Sequence, residues 1–202
     1  NPENFSIEFI GNIAFNFLKK PLREYKKFLL LENLARLETE LSKNAFSLIK
    51  VIENELLKIK PDQKLLVESA FKFAEALGKE NNKKILIALD NFENLLDLNN
   101  FSQIKDVLTL INFESQNVSY IATSSAIKQL LALKKFECFE IKNLEKKESA
   151  ELIKSIIENA EQKIIDEIFA LSDGHPLITI IISKKYNETK DTKKAFLIER
   201  LQ

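Results

Sequence analysis

Two short polar clusters follow apolar runs in positions where side chains could do chemistry. Asp90-Asn91-Phe92-Glu93 comes directly after Ile85-Leu86-Ile87-Ala88-Leu89, and Thr123-Ser124-Ser125 directly after Val118-Ser119-Tyr120-Ile121-Ala122. A carboxylate ending a buried strand can hold a hydrated Mg²⁺, because that ion keeps several waters and takes few protein oxygens. A hydroxyl at the tip of the neighbouring strand can donate to a phosphate or to an attacking water. The same residue types are also the usual caps, so Asp90 equally suits the start of the next segment, and Thr123-Ser124-Ser125 a turn before a helix over Ala126 to Leu133. His175 is the only histidine and stands between Gly174 and Pro176, a turn setting without a second zinc ligand. Cys138 is the only cysteine and reads as a small buried hydrophobe inside an apolar strand. No Ser/His/Asp set or metal-spaced cluster is readable, so hydrolysis of those kinds has no support.

The elements that would position these clusters follow from hydrophobic periodicity. Residues 1–62 read as a long helical region: Phe5, Phe9, Ile10, Ile13 and Phe17 share one face, Pro21 opens the next helix, and Leu30, Leu34, Leu37 and Leu41 continue the stripe. A break at Ser42-Lys43-Asn44 precedes Leu48, Ile52, Leu56 and Ile59. These leucine-rich helices also offer an oligomerisation surface. Residues 63–143 read as an α/β portion. A helix capped by Asp62 buries Leu65, Leu66, Ala70, Phe73 and Leu77 and stops at Gly78 in a left-handed cap. The unbroken run Ile85 to Leu89 predicts a strand covered on both faces in a parallel sheet. A helix over Ile104 to Phe113, a strand over Val118 to Ala122 and a third strand over Phe136 to Ile141 complete a strand-helix rhythm typical of doubly wound α/β sheets. Residues 144–202 return to helices: Glu145 to Asn159, then Ile164 to Leu171 closed by Ser172-Asp173-Gly174, and a last one over Asp191 to Leu201.

Composition narrows the function classes. The chain has 202 residues, with 30 Lys+Arg against 30 Asp+Glu, and its lysine pairs are interleaved with acids. Balanced charge gives no electrostatic reason to expect nucleic acid. No apolar run reaches the roughly 20 residues of a membrane helix, and a lone cysteine fits a reducing compartment, so a cytoplasmic protein is expected. Three glycines cannot build a glycine-rich phosphate loop, which excludes a complete nucleotide site from these residues alone. Zero methionines implies that the sequence is a piece of a longer chain or that modified methionines are missing from it.

Four segments then carry a resemblance. Ile85 to Leu96, with Leu89-Asp90-Asn91-Phe92-Glu93 at its centre, resembles the Walker B segment of signal-transduction (STAND) NTPases within the AAA+ superfamily. Tyr120-Ile121-Ala122-Thr123-Ser124-Ser125 resembles their sensor 1 strand. Phe139 to Ile153 is similar to the stretch entering their helical lid, and Asp173-Gly174-His175-Pro176-Leu177 to the Gly-x-Pro motif that ends the lid helix near the nucleotide. Order and spacing fit best the archaeal ATPase family, including a long helical insert before Walker B, over about residues 64 to 202.

The resemblance implies the C-terminal part of a P-loop NTPase parallel sheet, with a long helical N-terminal region and a small helical lid. It implies ATP and Mg²⁺ as cofactors. Asp90 would be the Walker B aspartate, meeting the metal through water, and Asn91 would lie beside it. Thr123 or Ser124 would supply the sensor hydroxyl, and Gly174, His175 and Pro176 the nucleotide-facing turn. Three departures matter. Asn91 stands where many members have glutamate, so either Glu93 substitutes as catalytic group or hydrolysis is slow and nucleotide state acts as a switch. Ser125 replaces an arginine. No G-x-x-x-x-G-K-[ST] precedes Walker B, so in the family's terms the phosphate loop and first two strands lie upstream. An ATPase switch module and a non-catalytic scaffold that binds a protein partner or itself are the two functional expectations.

Overall fold

The computed structural model describes residues 1–126 and 136–199, with side chains through Phe196. The chain divides into two compact units, Asn1–Glu137 and Cys138–Gln202. It is mostly helical, with one small parallel sheet. The helix expected over Ala126 to Leu133 lies outside the described residues except for its first.

Unit 1 begins with α1 (Pro2–Phe17), whose Asn1 side chain accepts from the Asn4 amide. The expected helix after Pro21 breaks instead into a 3-10 turn (Leu22–Leu29), a single helical turn α2 (Leu31–Leu34) and a second 3-10 turn (Leu37–Thr39). Leu34, Leu37 and Leu41 are buried, but Leu22 and Leu30 are exposed, so the stripe is not continuous. Gly11 explains how this segment packs: a Cβ there would lie 2.0 Å from the Phe28 carbonyl oxygen, so only glycine lets the 22–29 turn lie against α1.

The helix α3 (Lys43–Leu56) starts at the anticipated break and ends before Ile59, which is fully exposed. Its Glu55 carboxylate takes the Lys58 ammonium and the Asp62 backbone N–H, fixing the corner into α4 (Gln63–Glu80). Asp62 caps α4 as expected, accepting from the Leu65 amide at 2.9 Å. The helix runs past Gly78 to Glu80, and the left-handed residue is Asn82 (φ 49°). Gly78 serves close approach: a Cβ would meet the Lys83 carbonyl oxygen at 3.0 Å and the Asn117 Cβ at 3.1 Å. Phe71 of α4 meets Phe5 and Phe9 of α1 at ring-centroid distances of 5.7 and 4.9 Å, at the heart of this core.

The sheet consists of β1 (Ile85–Leu89) and β2 (Val118–Ala122), parallel, in register from Ile85 with Val118 to Leu89 with Ala122. Ile87 and Val118 are buried on its inner face. The opposite face is not covered: Leu86 is 68% and Ile121 58% exposed, which corrects the expectation of a strand buried on both sides. Between the strands come α5 (Glu93–Leu96) and two 3-10 turns (Asp97–Asn100, Val107–Leu110), not a helix over 104–113. Local side-chain acceptors break that helix: Asn99 takes the Val107 amide at 2.7 Å and Asp106 the Leu108 amide at 3.0 Å.

The third expected strand is absent. Residues 136–141 are irregular, with Phe139 82% and Ile141 94% exposed, and Cys138 is exposed rather than buried. Phe136 packs edge-on against Phe92 and Phe113, which holds the start of the segment to unit 1, but no described neighbour offers it a ladder.

Unit 2 contains α6 (Lys146–Ile156), α7 (Gln162–Ser172), α8 (Pro176–Thr189) and α9 (Thr192–Glu199) around Ile153, Ile157, Ile165, Ile168 and Ile182. Asp173 (φ 48°) and Gly174 (φ 73°) end α7 in left-handed conformation. Among the described residues no helix is long and apolar enough to cross a membrane.

Candidate functional site

The parallel register sets the site, because pairing Leu89 with Ala122 brings the two polar clusters to the same end of the sheet. Thr123 donates its backbone N–H to the Leu89 carbonyl at 2.9 Å, and its own carbonyl takes the Phe92 amide at 2.8 Å. Its hydroxyl donates to Asp90 Oδ1 and accepts the Asn91 amide at 3.1 Å. Asn91 adopts φ 51°, a left-handed turn that asparagine tolerates, which carries the chain from β1 into α5. Phe92, 1% exposed, anchors the turn from below.

Glu93 is held by the same turn. Ser124 Oγ donates to Oε2 at 2.5 Å, Ser125 Oγ to Oε1 at 2.6 Å, and the Ser125 amide to Oε1 at 3.3 Å. These donors, the two hydroxyls foremost, bring the carboxyl down to about 2. An acid this strong stays ionised at neutral pH and is a weak proton acceptor, so a base role for Glu93 would require releasing both serines. Glu93 and the serines form a clamp between α5 and the end of β2.

Beside Asp90 opens a cavity of about 480 Å³. Its walls include the cap residue Asn1 and Asn4, Phe5 and Glu8 of α1, together with Asp90, Asn91, Asn94, Asp97 and apolar residues from Phe92 to Phe101. The sequence expectations did not include this wall: positions 1, 4, 5 and 8 have the spacing of one helical face, but nothing local in the sequence places that face at the end of β1. Ser125 reads from the sequence as part of the polar cluster or turn after β2 and as the replacement of an arginine; its partner Glu93 becomes visible once the strand register is known.

The fit to Mg²⁺ and ATP divides. One aspartate at a strand end suits a hydrated Mg²⁺ that takes its other ligands from water and phosphate. Among the described residues no group of three His, Cys, Asp or Glu could hold a metal unaided. The cavity has no Lys or Arg in its walls, while Glu8, Asp90 and Asp97 are acidic, so it does not fit a triphosphate. No step of hydrolysis follows from these residues.

Gly174, His175 and Pro176 belong to unit 2 and form a turn of their own. His175 caps α8, with Pro176 at its first position, and Nδ1 accepts the Ile178 amide at 3.5 Å. The Leu144 amide donates to the Gly174 carbonyl at 2.9 Å, and Asn143 Nδ2 to the Asp173 carbonyl at 2.9 Å. Thus the segment entering α6 is latched to the turn ending α7. A Cβ on Gly174 would lie 2.2 Å from the Leu144 carbonyl oxygen, so the latch requires glycine.

No protein-family model, no curated protein and no solved structure matches the chain.

Proposed function

We propose that the chain is part of a nucleotide-responsive switch of the STAND type, one that binds Mg-ATP and turns it over slowly. The observation that carries this reading is the Asp90–Thr123 hydrogen bond joining the carboxyl ends of two adjacent parallel strands. Asp90 would be the carboxylate that holds a hydrated Mg²⁺, and the Thr123 hydroxyl ties Asp90 to the Asn91 amide at the turn before α5. Slow turnover is supported by Asn91, which cannot accept a proton, and by the clamped Glu93 carboxylate. The phosphate cradle would come from further polypeptide.

In the full-length protein, Asp90→Ala is expected to weaken Mg-ATP binding by at least about tenfold, read by calorimetry. Unchanged affinity would remove Asp90 from the site. The absence of a G-x-x-x-x-G-K-[ST] motif from the coding sequence upstream of Asn1 would favour the second reading, a non-catalytic scaffold. That alternative draws support from the acidic, lysine-free cavity at the strand end.

A further inference from the structure

A smaller cavity of about 170 Å³ takes all its walls from one stretch, Lys20 to Glu40, and shares no residue with the sheet or with the cavity beside Asp90. This is the stretch in which the expected helix breaks into short turns. The break builds the concavity. Asn33 Nδ2 donates to the Lys27 carbonyl at 3.1 Å and the Arg36 amide donates to the Asn33 carbonyl at 3.1 Å, so one asparagine ties Lys27 to Arg36. The Lys20–Glu40 ion pair joins the two ends of the stretch, and Phe28 and Leu37, both buried, supply the apolar part of the wall.

The walls carry three cations, Lys20, Lys27 and Arg36, against two carboxylates, Glu24 and Glu40. Glu40 is engaged by Lys20: the hydrogen bond between them, with the field of Glu24 adding to it, holds that ammonium above its ordinary value. Lys27 and Arg36 are left over. Both are exposed, and neither enters an ion pair among the described residues. Two uncompensated cations on one wall repel each other, and the arrangement becomes favourable with an anion between them.

We infer that this cavity binds the phosphate group of a monoester, held by Arg36 and Lys27. The guanidinium offers a planar fork to two phosphate oxygens, and the ammonium a point charge to a third. A monoester carries a charge of roughly −1.5 to −2 near neutral pH, which balances both free cations, whereas a carboxylate balances one. Size points the same way, since pockets for drug-sized ligands begin at roughly 300 Å³ and this one takes little more than the charged group. The site is independent of the Mg-ATP reading, because no residue of the strand ends contributes to it.

An NMR titration of the 202-residue chain with inorganic phosphate tests this, at ionic strength held constant with sodium chloride. The Asn33 side-chain amide and the backbone amides of Lys27 and Arg36 are expected to shift and to saturate with a Kd of about 1 mM. Arg36→Ala is expected to weaken binding at least about tenfold. Glu24→Gln removes the remaining opposing carboxylate and is expected to tighten binding about threefold, a gain that a merely structural role would not produce. Should Arg36→Ala misfold, Glu24→Gln decides. The same titration with phosphoserine amide separates the sources: a tighter response than to inorganic phosphate assigns a phosphorylated side chain, an equal one a free phosphate, and both support the site. No shift up to about 20 mM phosphate, a Kd unaltered by Arg36→Ala, or no tightening in Glu24→Gln would each overturn the proposal.

Discussion

Glu93 shows how a side chain can be acidic in type and yet withdrawn from acid-base work. Its carboxyl sits at about 2 in the folded chain against an ordinary value of 4.5, so its contribution to stability is present above the ordinary value and lost as pH falls through the folded one. Glu93→Gln is therefore expected to melt lower than the parent at neutral pH. The gap should narrow between pH 4.5 and about 2, followed by thermal melts across that range. A gap independent of pH would mean that the serine hydroxyls do not depend on the charge. Gly11 makes the complementary point about space. Gly11→Ala forces a methyl group onto the Phe28 carbonyl, a backbone group that cannot swing aside. The expected loss is about 1–3 kcal/mol in chemical denaturation.

At the level of elements, legibility followed how local the determinants are. The helix α4 was readable because its cap, Asp62, and its buried face lie within one stretch of chain, and both strands were readable as short apolar runs ended by polar residues. The segment 104–113 misled because Ile104, Val107 and Ile111 recur at helical spacing and are indeed buried. Turns can bury the same spacing when Asn99 and Asp106 take the amides that a helix would use. Residues 136–141 misled differently, since a short run rich in apolar residues suits a strand but only a neighbour with free backbone groups makes one. The same division holds for the site. Asp90 and Thr123 were recognisable as strand ends, whereas the Glu93 clamp and the α1 wall of the cavity depend on register and packing, which no single segment encodes.

Among the described residues the chain has two cores. Phe71 belongs to the first and Ile165 to the second, and each core cluster draws its residues from one unit alone. Calorimetry is expected to resolve two transitions. Phe71→Ala should lower one by about 3–5 kcal/mol and Ile165→Ala the other by about 2–5 kcal/mol, each leaving its companion in place. A single transition moved by both substitutions would show that the units unfold together. The stretch after Phe136 gains a meaning from this division. Phe139 and Ile141 contribute to neither core, so a recombination breakpoint between codons 138 and 142 would separate two hydrophobic interiors without cutting through either. A lineage could exchange the helical unit, latch and Gly174 turn together, while keeping the strand ends that carry Asp90 and Thr123.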